Sequence, residues 1–163
     1  MIESVILFLS EVPRPIATMI LAAMPIFELR LAIPVAAHVW LLQPLEAFGY
    51  AVIGNLVPLV PLYFGLDALH GLATKHWPWF GRIMELSIQR AKGKVKHKYA
   101  RYGAFALFLF TALPLPMTGL WTATLAAVAL KVPFRYAIRG IIPGVITAGI
   151  IVSILSVSAD VYF

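Results

Sequence analysis

The sequence has no cysteine and very little charge. Without cysteine the chain can hold neither a disulfide nor a thiolate metal site. Charged residues make up 12% of it and hydrophobic residues 61%, where soluble globular domains carry about 25% charge. A soluble domain of 163 residues has room for one modest core, so much of that apolar surface would face water. This excludes a soluble fold and points to an integral membrane protein. Catalytic signatures are missing too: His38, His70, His76 and His97 lack metal-ligand spacing, no glycine-rich phosphate loop appears, and no serine sits in a nucleophile elbow. No enzyme activity, cofactor or metal is expected. The opening Met1-Ile2-Glu3 is acidic where a signal peptide carries positive charge, so the start reads as mature protein. Residues 2 to 9 are expected as a short interfacial helix ending near Pro13 and Pro15.

What is present is apolar sequence in four stretches. A spanning helix needs about 20 apolar residues. Residues 45 to 71 and 134 to 159 qualify, each preceded by a proline, Pro44 and Pro133, suited to a first helical turn. The other two stretches are interrupted near their middles. Residues 16 to 42 contain Pro25-Ile26-Phe27-Glu28-Leu29-Arg30 and then Pro34; residues 103 to 130 contain Pro114-Leu115-Pro116-Met117-Thr118-Gly119. Proline removes amide donors and disfavours helix just upstream. Broken backbone at membrane depth must be covered by protein or line a cavity, so both stretches are expected to be re-entrant hairpins rather than kinked spans.

Charge placement supports that expectation. Lys75, Arg82, Arg90, Lys92, Lys94, Lys96, Lys98 and Arg101 fill the connector between the halves, and Lys131, Arg135 and Arg139 follow the second interrupted stretch. If that stretch returns as a hairpin, all eleven lie on one side, the cytoplasmic side by the positive-inside rule. Both termini are then extracytoplasmic. Ile88, Ala91, Val95, Tyr99 and Tyr102 repeat at helical spacing among the connector cations. This predicts a basic amphipathic helix lying on anionic lipid, with no accompanying nucleic-acid motif.

One fixed displacement brings Pro25 onto Pro114, Pro44 onto Pro133, and Gly54-Asn55 onto Pro143-Gly144. The expected fold is therefore an all-α integral membrane domain over residues 1–163, an inverted repeat of re-entrant helical hairpin plus transmembrane helix. The first repeat takes residues 13–72, the cytoplasmic basic connector 73–102 and the second repeat 103–160.

Glu28 and Arg30 lie at the apex of the first hairpin, and an ionisable residue inside a membrane is by default a functional hypothesis. The plain alternative is an internal ion pair, or partners for backbone groups orphaned by the break. The sharper reading makes Glu28 a protonation switch and Arg30 the holder of an anionic group of the substrate. Thr118, Trp121 and Thr122 follow the second break and could line the same cavity, although membrane threonines often bond to backbone. Asn55, beside Gly54 near mid-span, needs a partner for its amide, and the hairpin tips are the nearest candidates. Arg139 either reaches inward or, by preference, snorkels to the cytoplasmic interface.

Phe27-Glu28-Leu29-Arg30-Leu31-Ala32-Ile33-Pro34 and Ala112-Leu113-Pro114-Leu115-Pro116-Met117-Thr118-Gly119-Leu120-Trp121-Thr122, with Gly54-Asn55 between them, resemble the small multi-drug export protein family of prokaryotes over nearly the whole chain. Met117 stands where a glycine is expected and Leu120 where a small residue is usual. The layout is also similar to the wider DedA or VTT superfamily, whose paired re-entrant hairpins carry embedded acidic and arginine residues and which is implicated in moving lipids such as polyprenyl phosphates. That resemblance implies that Glu28 takes the acidic position of the first hairpin. The arginine pair those proteins carry around the second hairpin's proline is absent, with Ala112, Leu113 and Thr118 in that neighbourhood.

Together these readings imply a proton-coupled exporter or lipid flippase in the prokaryotic plasma membrane, with a midplane site between the hairpins. The alternative is a non-transporting scaffold that organises lipid through its basic connector. So few segments favour a homodimer or larger assembly.

Overall fold

A computed structural model of the chain describes residues 2–65, 96–114 and 118–162. Asp67, the larger part of the basic connector, and Leu115, Pro116 and Met117 lie outside those residues. Among the described residues every regular element is helical.

Helix α1 runs Ile2–Leu9, α2 Arg14–Ala23 and α3 Glu28–Pro34. Pro15 sits in the first turn of α2, where its missing amide costs nothing. From α3 the chain continues into one wider π turn, Val35–Val39. Pro34 has no amide to donate and precedes that turn, a local cause for the widened hydrogen-bond ladder. Helix α4 starts at Pro44 and its regular part ends at Leu56; the apolar helical run continues to Gly65. Helix α5 is Lys96–Ala112, α6 Leu120–Ala129 and α7 Phe134–Tyr162. Only Pro44–Gly65 and Phe134–Ser158 are long and apolar enough among the described residues to cross a membrane, with mean hydropathies of 1.5 and 2.2. These are the two spans read from the sequence.

Helix α5 passes unbroken from Lys96 into the second interrupted stretch, across position 102/103. Gly103 is the only weak helix former at that junction, and glycine lowers helix stability by about 1 kcal/mol without stopping it.

Residues near the two ends of each interrupted stretch lie in contact. Trp40, at the end of the first, donates its indole N–H to Ser10 Oγ at 3.2 Å, and Ser10 precedes α2. Gly103, at the start of the second, lies against Val132 at its end: a β-carbon there would stand 3.3 Å from the valine side chain. Each stretch also closes on a left-handed residue, Leu41 (φ 54°) and Lys131 (φ 51°), just before the proline that starts the next span. At Lys131 the amides of Lys131 and Val132 bond back to Val128 and Ala127 at 3.0 and 2.9 Å, the pairing that satisfies the last carbonyls of a helix.

Packing is closest where side chains are smallest. Helix α4 lies on α2 and α7 lies on α5. At Gly54 a β-carbon would overlap the backbone carbonyl of Met19, and at Gly140 that of Ala104. Ala17, Ala22, Ala32, Ala36, Ala47, Ala51, Ala123, Ala127 and Ala137 are fully buried between the helices. Large side chains such as Ile26, Leu45, Ile154 and Leu155 point outward. Small residues where backbones approach, with large apolar side chains such as these on the outer surface, suit a helix bundle in lipid, where dispersion packing joins the helices.

Candidate functional site

Four helix ends meet at the two breaks. At the first, Met24 leaves helical geometry and Glu28, the first residue of α3, takes a left-handed conformation (φ 49°). That turn lets two residues separated by one position face each other, which a regular helix forbids. The Arg30 guanidinium donates from Nη1 to Glu28 Oε2 at 2.7 Å, and the carboxylate is almost fully buried. At the second break α5 stops at Ala112 before Pro114 and Pro116, which can supply no amide to the carbonyls of its last turn. Arg30 fills part of that gap. Its Nη2 donates to the Leu113 carbonyl at 3.2 Å and to Thr118 Oγ1 at 3.0 Å, and Thr118 itself donates to Leu113 at 2.8 Å.

The Glu28 carboxylate meets the other side of the second break as well. The Trp121 backbone amide, in the first turn of α6, points at Glu28 Oε1 at 3.4 Å, a long contact from the electropositive end of a helix. Gly119 makes the approach sterically feasible: it adopts φ +151°, and a β-carbon there would overlap Glu28 Oε2. The Trp121 indole donates to the Ala23 carbonyl, the last of α2, at 3.2 Å. One arginine, one carboxylate and one indole thus tie the two breaks together.

Glu28, Arg30, Asn55, Thr111, Gly119, Leu120 and Val145 line one crevice, too tight to admit a water molecule. Asn55 is 1% exposed, and its side-chain carbonyl Oδ1 has no hydrogen-bond donor; Arg30 Nε is likewise buried without an acceptor. The Thr111 hydroxyl is spent on the Leu107 carbonyl at 2.6 Å. No group of three or more potential metal-ligating side chains occurs among the described residues.

Of the residues singled out by sequence, Glu28, Arg30, Thr118 and Trp121 are joined by direct contacts, and Asn55 lines their crevice. Thr122 is not brought in: its hydroxyl bonds to the Gly119 carbonyl at 3.3 Å, within its own helix turn. Arg139 stands away from the site, exposed, its guanidinium 5.8 Å from the Tyr136 ring that Arg135 also covers at 4.9 Å. Gly119, Thr111 and the Leu113 carbonyl belong to the site without having been picked out. Gly119 carried a signal, as the glycine closing a Pro-x-Pro-x-x-Gly run.

A family model described as "Putative small multi-drug export protein" matches residues 28–151, beginning at the buried acid and ending within α7. Neither the curated proteins nor the solved structures contain a match.

Proposed function

Because the chain belongs to the small multi-drug export protein family, we propose that it is a membrane transporter whose substrate site is built on the Glu28–Arg30 pair, with the two breaks as re-entrant hairpins meeting near the bilayer midplane. The observation that carries this reading is a buried acid and base bonded to each other and to both breaks. On insertion scales each charge at membrane depth costs about 2.5–3.5 kcal/mol. A pair that only held the fold would be replaceable by apolar side chains at no loss.

In this mechanism Glu28 exchanges a proton while Arg30 holds an anionic group of the substrate, a lipid or polyprenyl phosphate being one case. Thr118 and Trp121 position that group from the second break. The water-tight crevice corresponds to a closed stage, and opening requires the contacts of Arg30 and Trp121 across the breaks to separate. The membrane is the prokaryotic plasma membrane, with the basic connector on its cytoplasmic side.

The test is transport by purified protein in liposomes, followed as proton movement with an entrapped pH-sensitive dye when an amphiphilic anion is supplied. Glu28→Gln and Arg30→Ala are each expected to lose at least about tenfold in rate, equivalent to about 1.4 kcal/mol of barrier. Transport by Glu28→Gln at the wild-type rate and with unchanged pH dependence would remove Glu28 from the mechanism.

A further inference from the structure

Among the described residues the crevice contains one acceptor without a donor. Asn55 Oδ1 is buried unsatisfied, and an amide carbonyl left so is destabilising. Asn55 comes from α4, which packs directly against α3, and shares the crevice with the Glu28 carboxylate. A carboxylate has no proton to give it; a carboxylic acid does.

We propose that Asn55 is the proton-state partner of Glu28: once protonated, the Glu28 carboxyl leaves Arg30 and donates its O–H to Asn55 Oδ1. This rests on the reading of Glu28 as the residue that exchanges a proton. The atoms balance simply. A proton enters on a Glu28 oxygen, the Arg30 Nη1 hydrogen bond breaks, and one new O–H···O bond forms to the amide. Among the described residues Arg30 is the only other charged one lining the crevice; α4, α5, α6 and α7 contribute Asn55, Thr111, Leu120, Val145 and Ala148.

The sign of coupling follows. Loss of the carboxylate leaves the Arg30 guanidinium with Nη1 and the already unpartnered Nε lacking acceptors. A guanidinium deprived of its carboxylate in a partly buried position is disfavoured, and an incoming anion removes that cost. Proton and anionic group therefore bind together rather than in exchange, each strengthening the other by the same factor.

Asn55 is the only asparagine in the sequence, so asparagine carrying ¹³C at the side-chain carbonyl reports it without mutation. Wild-type protein in nanodiscs is titrated with acid while that resonance is followed, with ¹³C-labelled glutamate in a parallel sample. The Asn55 resonance is expected to move with the Glu28 carboxyl titration. In Glu28→Gln, whose amide can donate as a protonated carboxyl does, it should rest near the acid-end position and not respond to pH. A titrating Glu28 with a stationary Asn55 overturns the inference and leaves the transport reading intact. Absence of any Glu28 titration between neutral and mildly acid pH overturns both.

Discussion

Gly119 fixes the distance between an acid and a helix end. Its φ of +151° belongs to a region that side-chain-bearing residues avoid, and the space a β-carbon would take is held by Glu28 Oε2. Gly119→Ala therefore meets two costs, about 1–3 kcal/mol of backbone strain and displacement of the carboxylate from the first turn of α6. Gly49, in the interior of α4 with nothing within 4 Å of its virtual β-carbon, is the control, since alanine there gains about 0.5–1 kcal/mol of helix propensity. Thermal unfolding in detergent should show a lowered midpoint for Gly119→Ala and an unchanged or raised one for Gly49→Ala. Equal midpoints would mean that the carboxylate is not held against Gly119.

At the scale of elements, α4 packs on α2 and α7 on α5 with glycine at both contacts. Gly54 faces the Met19 carbonyl, Gly140 the Ala104 carbonyl, and Gly144 lies 3.0 Å by its virtual β-carbon from the Phe108 carbonyl. Met19 and Phe108 are related by the same displacement that superposes Pro25 on Pro114. Neighbouring backbone cannot retreat as a flexible side chain can, so Gly54→Ala and Gly140→Ala must each push two helices apart. Overpacking of that kind costs about 1–3 kcal/mol. Denaturation of the two variants should show losses within that range and of similar size. A large loss at one and none at the other would argue that the halves do not pack alike.

Much of this architecture was legible beforehand because its causes are local. Helices stop just before Pro25 and Pro114, and Pro44 and Pro133 stand where the next ones start; both effects act through a missing amide within one turn of the residue itself. Glu28 and Arg30 stood out because charge is scarce in apolar sequence. What stayed hidden depends on residues far along the chain. The partners of Arg30 at Leu113 and Thr118, the orphaned Asn55 carbonyl and the contact of the His38 ring with Ser156 of α7 at 2.7 Å exist only once distant helices pack. Arg139 and Thr122 were drawn toward the site by proximity in sequence, while their side chains go to Tyr136 and to a local carbonyl.

For the whole molecule the open quantity is which side of the membrane each loop faces, and the contacts constrain it. A single crossing between Ser10 and Trp40 would put them about 30 Å apart, the thickness of the hydrocarbon core, whereas their side chains are hydrogen-bonded at 3.2 Å. Gly103 and Val132 bracket the second stretch in the same way. Helices α2 and α6, of 10 residues each, are about 15 Å long, half a bilayer. The arrangement we propose is two hairpins entering from opposite faces, with Pro44–Gly65 and Phe134–Ser158 as the full crossings among the described residues. The chain has no cysteine, so single cysteines at positions 14, 43, 75 and 131 can be labelled from either side with a membrane-impermeant maleimide. Positions 14 and 43 should label from outside, and 75 and 131 from inside. If 14 and 43 fall on opposite faces the first stretch is a kinked span, and if 75 and 131 do the second is. Either result would remove the inverted repeat and leave the Glu28–Arg30 pair inside an ordinary bundle, with no symmetric pathway leading to it from the two sides.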